Sequence, residues 1–304
     1  MANLFSNPFA PTTYERTKER TARTAQFVTL LMSLALIIPM LWIIGLIFVK
    51  GAPAISLEYL WQNPRGGGIA GGIWGPLVGT FFLTLMCLLI VAPIGVMAGI
   101  YLNEYAPDNR ATRMIMIAVT SLAGVPSIVH ALFGLAAFVV ALNMGKSLMA
   151  AACTLAIMTL PVIITSTREA LGAVPRNFRE ACWNLGASKW QTIRTIVLPN
   201  SISGILTGVI LVVSRAAGET APIMLTGAAA YLPLSETMPE KLMPYYLGDQ
   251  FLALAMHLNV IARDVPNMPT DMKFGSALVL LCLIFLINSV AIIIRVKLRR
   301  RKRW

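Results

Sequence analysis

Charged side chains are scarce in this sequence: Asp, Glu, Lys and Arg make up 12% of its 304 residues. That is too few to solvate a separate soluble domain. Cysteine is scarce too. Cys87, Cys153 and Cys282 lie inside apolar runs and Cys182 in a polar interruption, so neither a CxxC metal pattern nor a disulfide pair is offered, and the four read as small apolar fillers. A small-residue cleavage site is missing between the first 25 residues, which carry both signs of charge, and the apolar run that follows. No processed signal is therefore expected. A nucleotide-gripping loop is missing as well. Gly145, Lys146 and Ser147 end like one, but that loop needs glycine where Val140 stands, and no strand leads into it. If ATP drives this protein, the ATPase is another chain.

What is present is apolar. Residues of that kind make up 57% of the chain, and mean hydropathy is +0.73, the composition of an all-α polytopic membrane protein. A crossing helix needs about 20 apolar residues. Runs 26–49, 77–102, 114–142, 147–167, 201–228 and 274–294 each qualify, which predicts six transmembrane helices. With both termini in the cytoplasm, 18 of the 25 Lys and Arg fall in the inside segments 1–25, 103–113, 168–200 and 295–304. Only 6 fall in the outside segments 50–76, 143–146 and 229–273. The positive-inside rule selects this orientation, and it accounts for the net charge of +12 without nucleic acid, for which no domain is available. The basic cluster 295–303 reads as an anchor on anionic lipid.

Proline marks the irregular places. The 29-residue third run contains Gly124, Pro126 and His130, so a kink or break is expected at 125–127. Pro93 and Pro222 invite the same reading, which nominates the second, third and fifth helices to line a pathway, since irregular backbone at membrane depth must be packed in protein or line a cavity. His130 is open to two readings, a proton shuttle or a side chain bonded to a carbonyl freed by the proline. The outside loop 51–76 is rich in glycine and reads as flexible, although such a run can also present backbone donors to an anion. The loop 231–273 has helical spacing over 247–261, which reads as a partner-facing surface.

Residues 178–199 interrupt the apolar runs with a different pattern. Phe178, Ala181, Cys182 and Leu185 share a helical face, Gly186 supplies a left-handed helix end, and Ser188 with Gln191 resembles a capping box. Trp190, Ile193 and Val197 continue the apolar stripe as far as Pro199. Two short helices meeting at a bend outside the bilayer are expected. They form either a docking element or an amphipathic surface on lipid headgroups.

Arg215 stands inside the fifth run, where a charge costs roughly 2.5–3.5 kcal/mol on insertion scales. Glu219, four residues on, is within reach of an intrahelical ion pair. That pair either neutralises itself at a helix contact or offers a guanidinium fork to an oxyanion in transit, with Glu219 ensuring release.

Glu180, Ala181 and Cys182, then Gly186, then Ile196 to Pro199 resemble the EAA loop of ABC importer permeases, with Cys182 where that family usually has a second alanine. In that family the loop is a cytoplasmic coupling helix seated in a cleft of the ATPase subunit, so the resemblance implies ATPase coupling by Glu180, Ala181 and Gly186. The run from Arg215 to Pro222, reading RAAGETAP, resembles the PstA-type phosphate importer permeases within that family, as do residues 99–105. The PstC-type permeases are similar too, but Ala221 and Pro222 favour the PstA type. The resemblance implies the type I ABC importer permease fold and a substrate pathway using Arg215, Glu219 and Thr220. It also implies a bacterial cell-membrane location, a PstC-type permease partner, two ATPase copies, an extracytoplasmic phosphate-binding protein, and no cofactor or metal. Thr165, Ser166, Thr167 and Arg168 depart from the Arg-Thr-Thr-Glu run common there, and no pathway role is carried to them. Two rivals stand beside this reading: a permease for molybdate or sulfate, and a proton-coupled secondary transporter using Arg215, Glu219 and His130.

Overall fold

A computed structural model describes residues 13–68, 70–235, 237, 240–266 and 268–300; the ends of both basic tails lie outside it. Five helices are long and apolar enough to cross a membrane, and a bent pair makes a sixth candidate span. In chain order, α1 (Thr13–Gly51) leads to a short helix α2 (Leu57–Trp61), then α3 (Trp74–Ile100). The bent pair is α4 (Arg110–Ala123) and α5 (Ser127–Gly134), followed by α6 (Leu148–Gly172). After the short helices α7 (Arg176–Asn184) and α8 (Lys189–Thr192) come α9 (Leu198–Gly218), α10 (Ala221–Thr226), α11 (Leu254–Arg263) and α12 (Thr270–Arg300).

The fourth apolar run forms the centre. Helix α6 lies between α3 and α9, with α5 and α10 also against it, while α1 stays peripheral on α12. Small residues permit this closeness, as expected where lipid leaves van der Waals contact to hold helices together. A Cβ on Gly95 would strike Ile163, one on Gly99 would strike Thr167, and one on Gly204 would strike Ala170. Leu83, Cys87, Val91, Leu155, Met158 and Val212 fill the space between the three helices.

The break expected around Pro126 is present, and larger than a kink: α4 and α5 meet at 102°. Pro126 precedes α5 with an extended backbone, and Gly124 ends α4. His130 is buried, with Nδ1 3.3 Å from the Pro126 carbonyl oxygen, which is the proline's own carbonyl and not the one it frees four residues earlier.

Three expectations need correction. The fifth run is not one helix over 201–228. Its helix starts earlier, running from α8 through a π-helical turn at Ile193–Val197 into α9, with Pro199 just after that turn, where the wider helical register accompanies its missing N–H. It ends at Gly218, and Glu219 is extended. The glycine-rich loop carries local structure at its described residues: β1 (Pro64–Arg65) pairs antiparallel with β2 (Ala70–Gly71), the Trp61 and Trp74 rings meet at a tilt with centroids 4.4 Å apart, and Gly72 sits against the Tyr59 and Gln62 carbonyls with no room for a side chain. Finally, helical spacing over 247–261 yields a helix only from Leu254. The carbonyls of Leu247 and Asp249 accept from the N–H groups of Met149 and Leu148, donors that the first turn of α6 leaves unpaired, so this stretch caps α6 and cannot coil on itself. Leu254, Met256, Val260 and Ile261 are buried, so much of the apolar face of α11 serves the core.

Candidate functional site

Two polar features stand at opposite ends of the continuous helix Lys189–Gly218, which at 30 residues is about 45 Å long. The first is the bend between α7 and α8. Gly186 adopts φ +82°, the left-handed geometry expected of it, and Ser188 with Gln191 makes the reciprocal capping box: Gln191 N–H donates to Ser188 Oγ at 3.2 Å and Ser188 N–H to Gln191 Oε1 at 2.8 Å. Ile193 and Val197 are buried, while Trp183, Leu185 and Trp190 are exposed, as is part of Phe178. Glu180 and Ala181 are exposed on the same short helix. A cleft of about 410 Å³ opens beside it, bordered by Asn103, Gly172, Arg176, Glu180 and Lys189.

Under this surface lies an ion pair that the sequence pattern gave no reason to expect. Arg179, which the helical wheel turns away from the apolar stripe, is the buried residue of α7. Its Nη2 donates to Glu104 Oε1 at 2.7 Å and its Nε to Glu104 Oε2 at 3.3 Å. The same guanidinium reaches back to α6, donating from Nη1 to the Val174 carbonyl at 2.7 Å and from Nη2 to the Leu171 carbonyl at 2.9 Å. Glu104 lies in a π-helical turn, Tyr101–Tyr105, that extends α3.

The second feature is the break after α9. Arg215 is in the last turn of that helix, where a cation complements the C-terminal end of the helix dipole. Its Nε donates to Glu219 Oε1 at 3.2 Å, and both side chains are partly exposed. The pair thus spans a helix end rather than decorating the middle of a helix. Thr220 is at the N-cap position of α10, without a side-chain cap bond, and Pro222 occupies the first turn. The Thr226 carbonyl, at the far end of α10, accepts from Ser147 N–H at the start of α6. Among the described residues no group of His, Cys, Asp and Glu is arranged to hold a metal ion.

Residues 92–304 match the family described as the binding-protein-dependent transport system inner membrane component. The chain belongs to this family. It is 31% identical over 304 residues to "Phosphate transport system permease protein PstA 1" of Mycobacterium tuberculosis (strain ATCC 25618 / H37Rv), covering 97% of this chain and 93% of that relative. It is 33% identical over 201 residues to "Probable ABC transporter permease protein YqgI" of Bacillus subtilis (strain 168), covering 64% of this chain and 68% of the relative. Among solved structures, a bacterial ABC transporter involved in the import of the acidic polysaccharide alginate aligns with TM-score 0.56 at 11% identity, over 96% of this chain and 99% of its own. At that identity the likeness speaks to the fold alone.

The chain therefore has the type I ABC importer permease fold and is a multi-pass membrane permease subunit rather than an enzyme. Membership implies a permease partner and an ATPase subunit. Within the permease the EAA-like residues Glu180 and Ala181 stand in α7 and Gly186 in the turn that follows it, while Arg215 and Glu219 pair at the break that Thr220 adjoins. Thr167, one of the positions departing from the family run, is fully buried against Gly99, which makes it a packing residue.

Proposed function

We propose that this permease is one of the two transmembrane subunits of an ATP-driven importer of inorganic phosphate, paired with a PstC-type permease and served by an extracytoplasmic phosphate-binding protein. The observation that carries the proposal is similarity along nearly the whole chain to a relative named as a phosphate transport permease. The broken helix at Glu219 supports it, because a guanidinium beside interrupted backbone within the bundle is the group a tetrahedral oxyanion recognises. Both termini and the α7–α8 bend face the cytoplasm, where Phe178, Trp183 and Leu185 seat in the ATPase with Glu180, Ala181 and Gly186 forming the coupling bend. ATP binding closes the ATPase pair, the bend carries that movement to the spanning helices, and phosphate passes between the two permeases near Arg215, Glu219 and Thr220.

The deciding experiment is ATP-dependent uptake of labelled phosphate by the reconstituted complex, with sulfate and molybdate as competitors and this chain alone as a control. Uptake that needs ATP and every partner, and that neither competitor reduces, is the expected result. Competition by molybdate would keep the architecture and change the cargo. Uptake by the isolated chain on a proton gradient would overturn the proposal.

A further inference from the structure

We propose that Glu104 is a positioning residue for coupling, and that Arg179 is the joint through which movement of the α7–α8 bend reaches α3. This rests on the importer reading. The observation behind it is that one buried guanidinium bonds three elements at once: Arg179 belongs to α7, its carboxylate partner Glu104 to the end of α3, and its carbonyl partners Leu171 and Val174 to the end of α6 and the turn beyond it. Glu104 Oε1 also accepts from Asn103 Nδ2 at 2.8 Å, which fixes the carboxylate from its own side.

The chemistry makes this joint stiff. A buried charge cannot leave its partner without exposing two uncompensated groups to a poorly solvating interior, so small displacements of α7 are transmitted rather than absorbed. A second contact runs the same way, since Gly99 of α3 lies directly on Thr167 of α6 and the two helices shift together. The exposed apolar residues of the bend are separate from the pair, which is buried. Docking and transmission are therefore carried by different side chains. The nearby pair between Arg113 Nε and Asp108 Oδ1, 3.1 Å apart, is exposed and on a single connection, so it transmits nothing and serves as a control.

The test uses the assembled complex of permeases, ATPase and binding protein. Glu104→Gln keeps the shape and removes the charge, and Arg179→Lys keeps the charge and removes the fork. Both variants are expected to co-purify with the ATPase and to hydrolyse ATP within twofold of wild type, while substrate moved per ATP falls at least tenfold for Glu104→Gln and less for Arg179→Lys. Arg113→Gln is expected to change neither quantity by more than twofold. A cargo-independent reading comes from spin labels at Asn177, exposed on α7 and outside the apolar docking residues, and at Tyr101, in a background where the native cysteines are replaced. In the wild-type frame their separation stays constant between the nucleotide-free complex and the complex trapped with ATP and vanadate; with Glu104→Gln it changes. The idea is overturned by a separation that moves in the wild-type frame, by full coupling in Glu104→Gln, or by loss of ATPase together with transport in both variants, which would make the pair a support for docking only. A wrong cargo would alter uptake and leave the label separations as expected, so the two failures are distinguishable.

Discussion

The backbone carbonyl of Leu252 lies directly over Gly79, in the space a Cβ would need. One residue on, Thr80 Oγ1 donates to the Pro76 carbonyl at 2.8 Å and accepts the Leu254 N–H at 2.8 Å, so the strap that leads into α11 is fastened to α3 at two successive positions. Gly79→Ala must push backbone away from backbone. It is expected to destabilise the protein by about 1–3 kcal/mol, seen as a lower melting temperature of the purified chain in detergent. Gly45→Ala, with open space around it, is expected to be neutral or to stabilise α1 by up to about 1 kcal/mol. Equal melting temperatures for the two variants would show that the strap does not hold α3.

His257 gives the segment between α10 and α12 a dependence on pH. It is buried in α11 beside Gly68, and burial pushes its pKa down from 6.5 to about 4. Above pH 6.5 the imidazole is neutral in the folded and the unfolded chain, so it contributes no slope. Between 6.5 and 4 the unfolded chain binds the proton and the folded one does not, so stability falls as pH falls. The span corresponds to at most about 3 kcal/mol. Denaturation midpoints measured from pH 7 to pH 4 are expected to decline in wild type and to decline less in His257→Leu. Parallel curves would remove His257 as the cause.

The sequence made legible whatever is governed by local chemistry. Length and apolarity marked the crossings because lipid offers no partner to a backbone N–H. Pro126 announced its break, Gly186 its left-handed turn, and Ser188 with Gln191 their cap, each within a few residues of its effect. What stayed hidden depends on distant partners. Arg179 meets Glu104 across 75 residues, and no periodicity links a residue on a helical wheel to a carboxylate on another helix. The stretch 247–253 has helical spacing, yet α6 claims its carbonyls. At the fifth run Pro222 was the visible signal, but a proline is comfortable in the first turn of a helix, so the expected break falls before it, at Glu219, and gives the ion pair a different setting from the intrahelical one expected.

Leu185 separates docking from folding. Its side chain is 88% exposed, so Leu185→Glu removes no internal contact and is expected to leave the melting temperature of this chain unchanged. On the ATPase it would set a charge against an apolar seat, and the expected result is at least about tenfold weaker co-purification of the ATPase, equivalent to about 1.4 kcal/mol. Gly186→Val should act differently, because a β-branched residue at φ +82° is strained by roughly 1–2 kcal/mol, reshaping the bend itself. Undiminished association in Leu185→Glu would move the docking surface elsewhere.

The pair at the α9 break discriminates between self-neutralisation and anion recognition, and a double variant does so most sharply. If Arg215 and Glu219 only cancel each other, Arg215→Gln with Glu219→Gln removes both charges and transport recovers. If the guanidinium binds the cargo, the double variant stays as impaired as Arg215→Gln alone. A charged hydrogen bond contributes about 1.5–3 kcal/mol, so Arg215→Gln is expected to lower kcat/KM for phosphate uptake by roughly ten- to a hundredfold. Glu219→Gln leaves the arginine uncompensated, 3.2 Å from where its carboxylate partner stood. The anion then binds more tightly and leaves more slowly, and KM and kcat fall together. Recovery in the double variant, with KM unchanged in Glu219→Gln, would return the pair to a purely structural role.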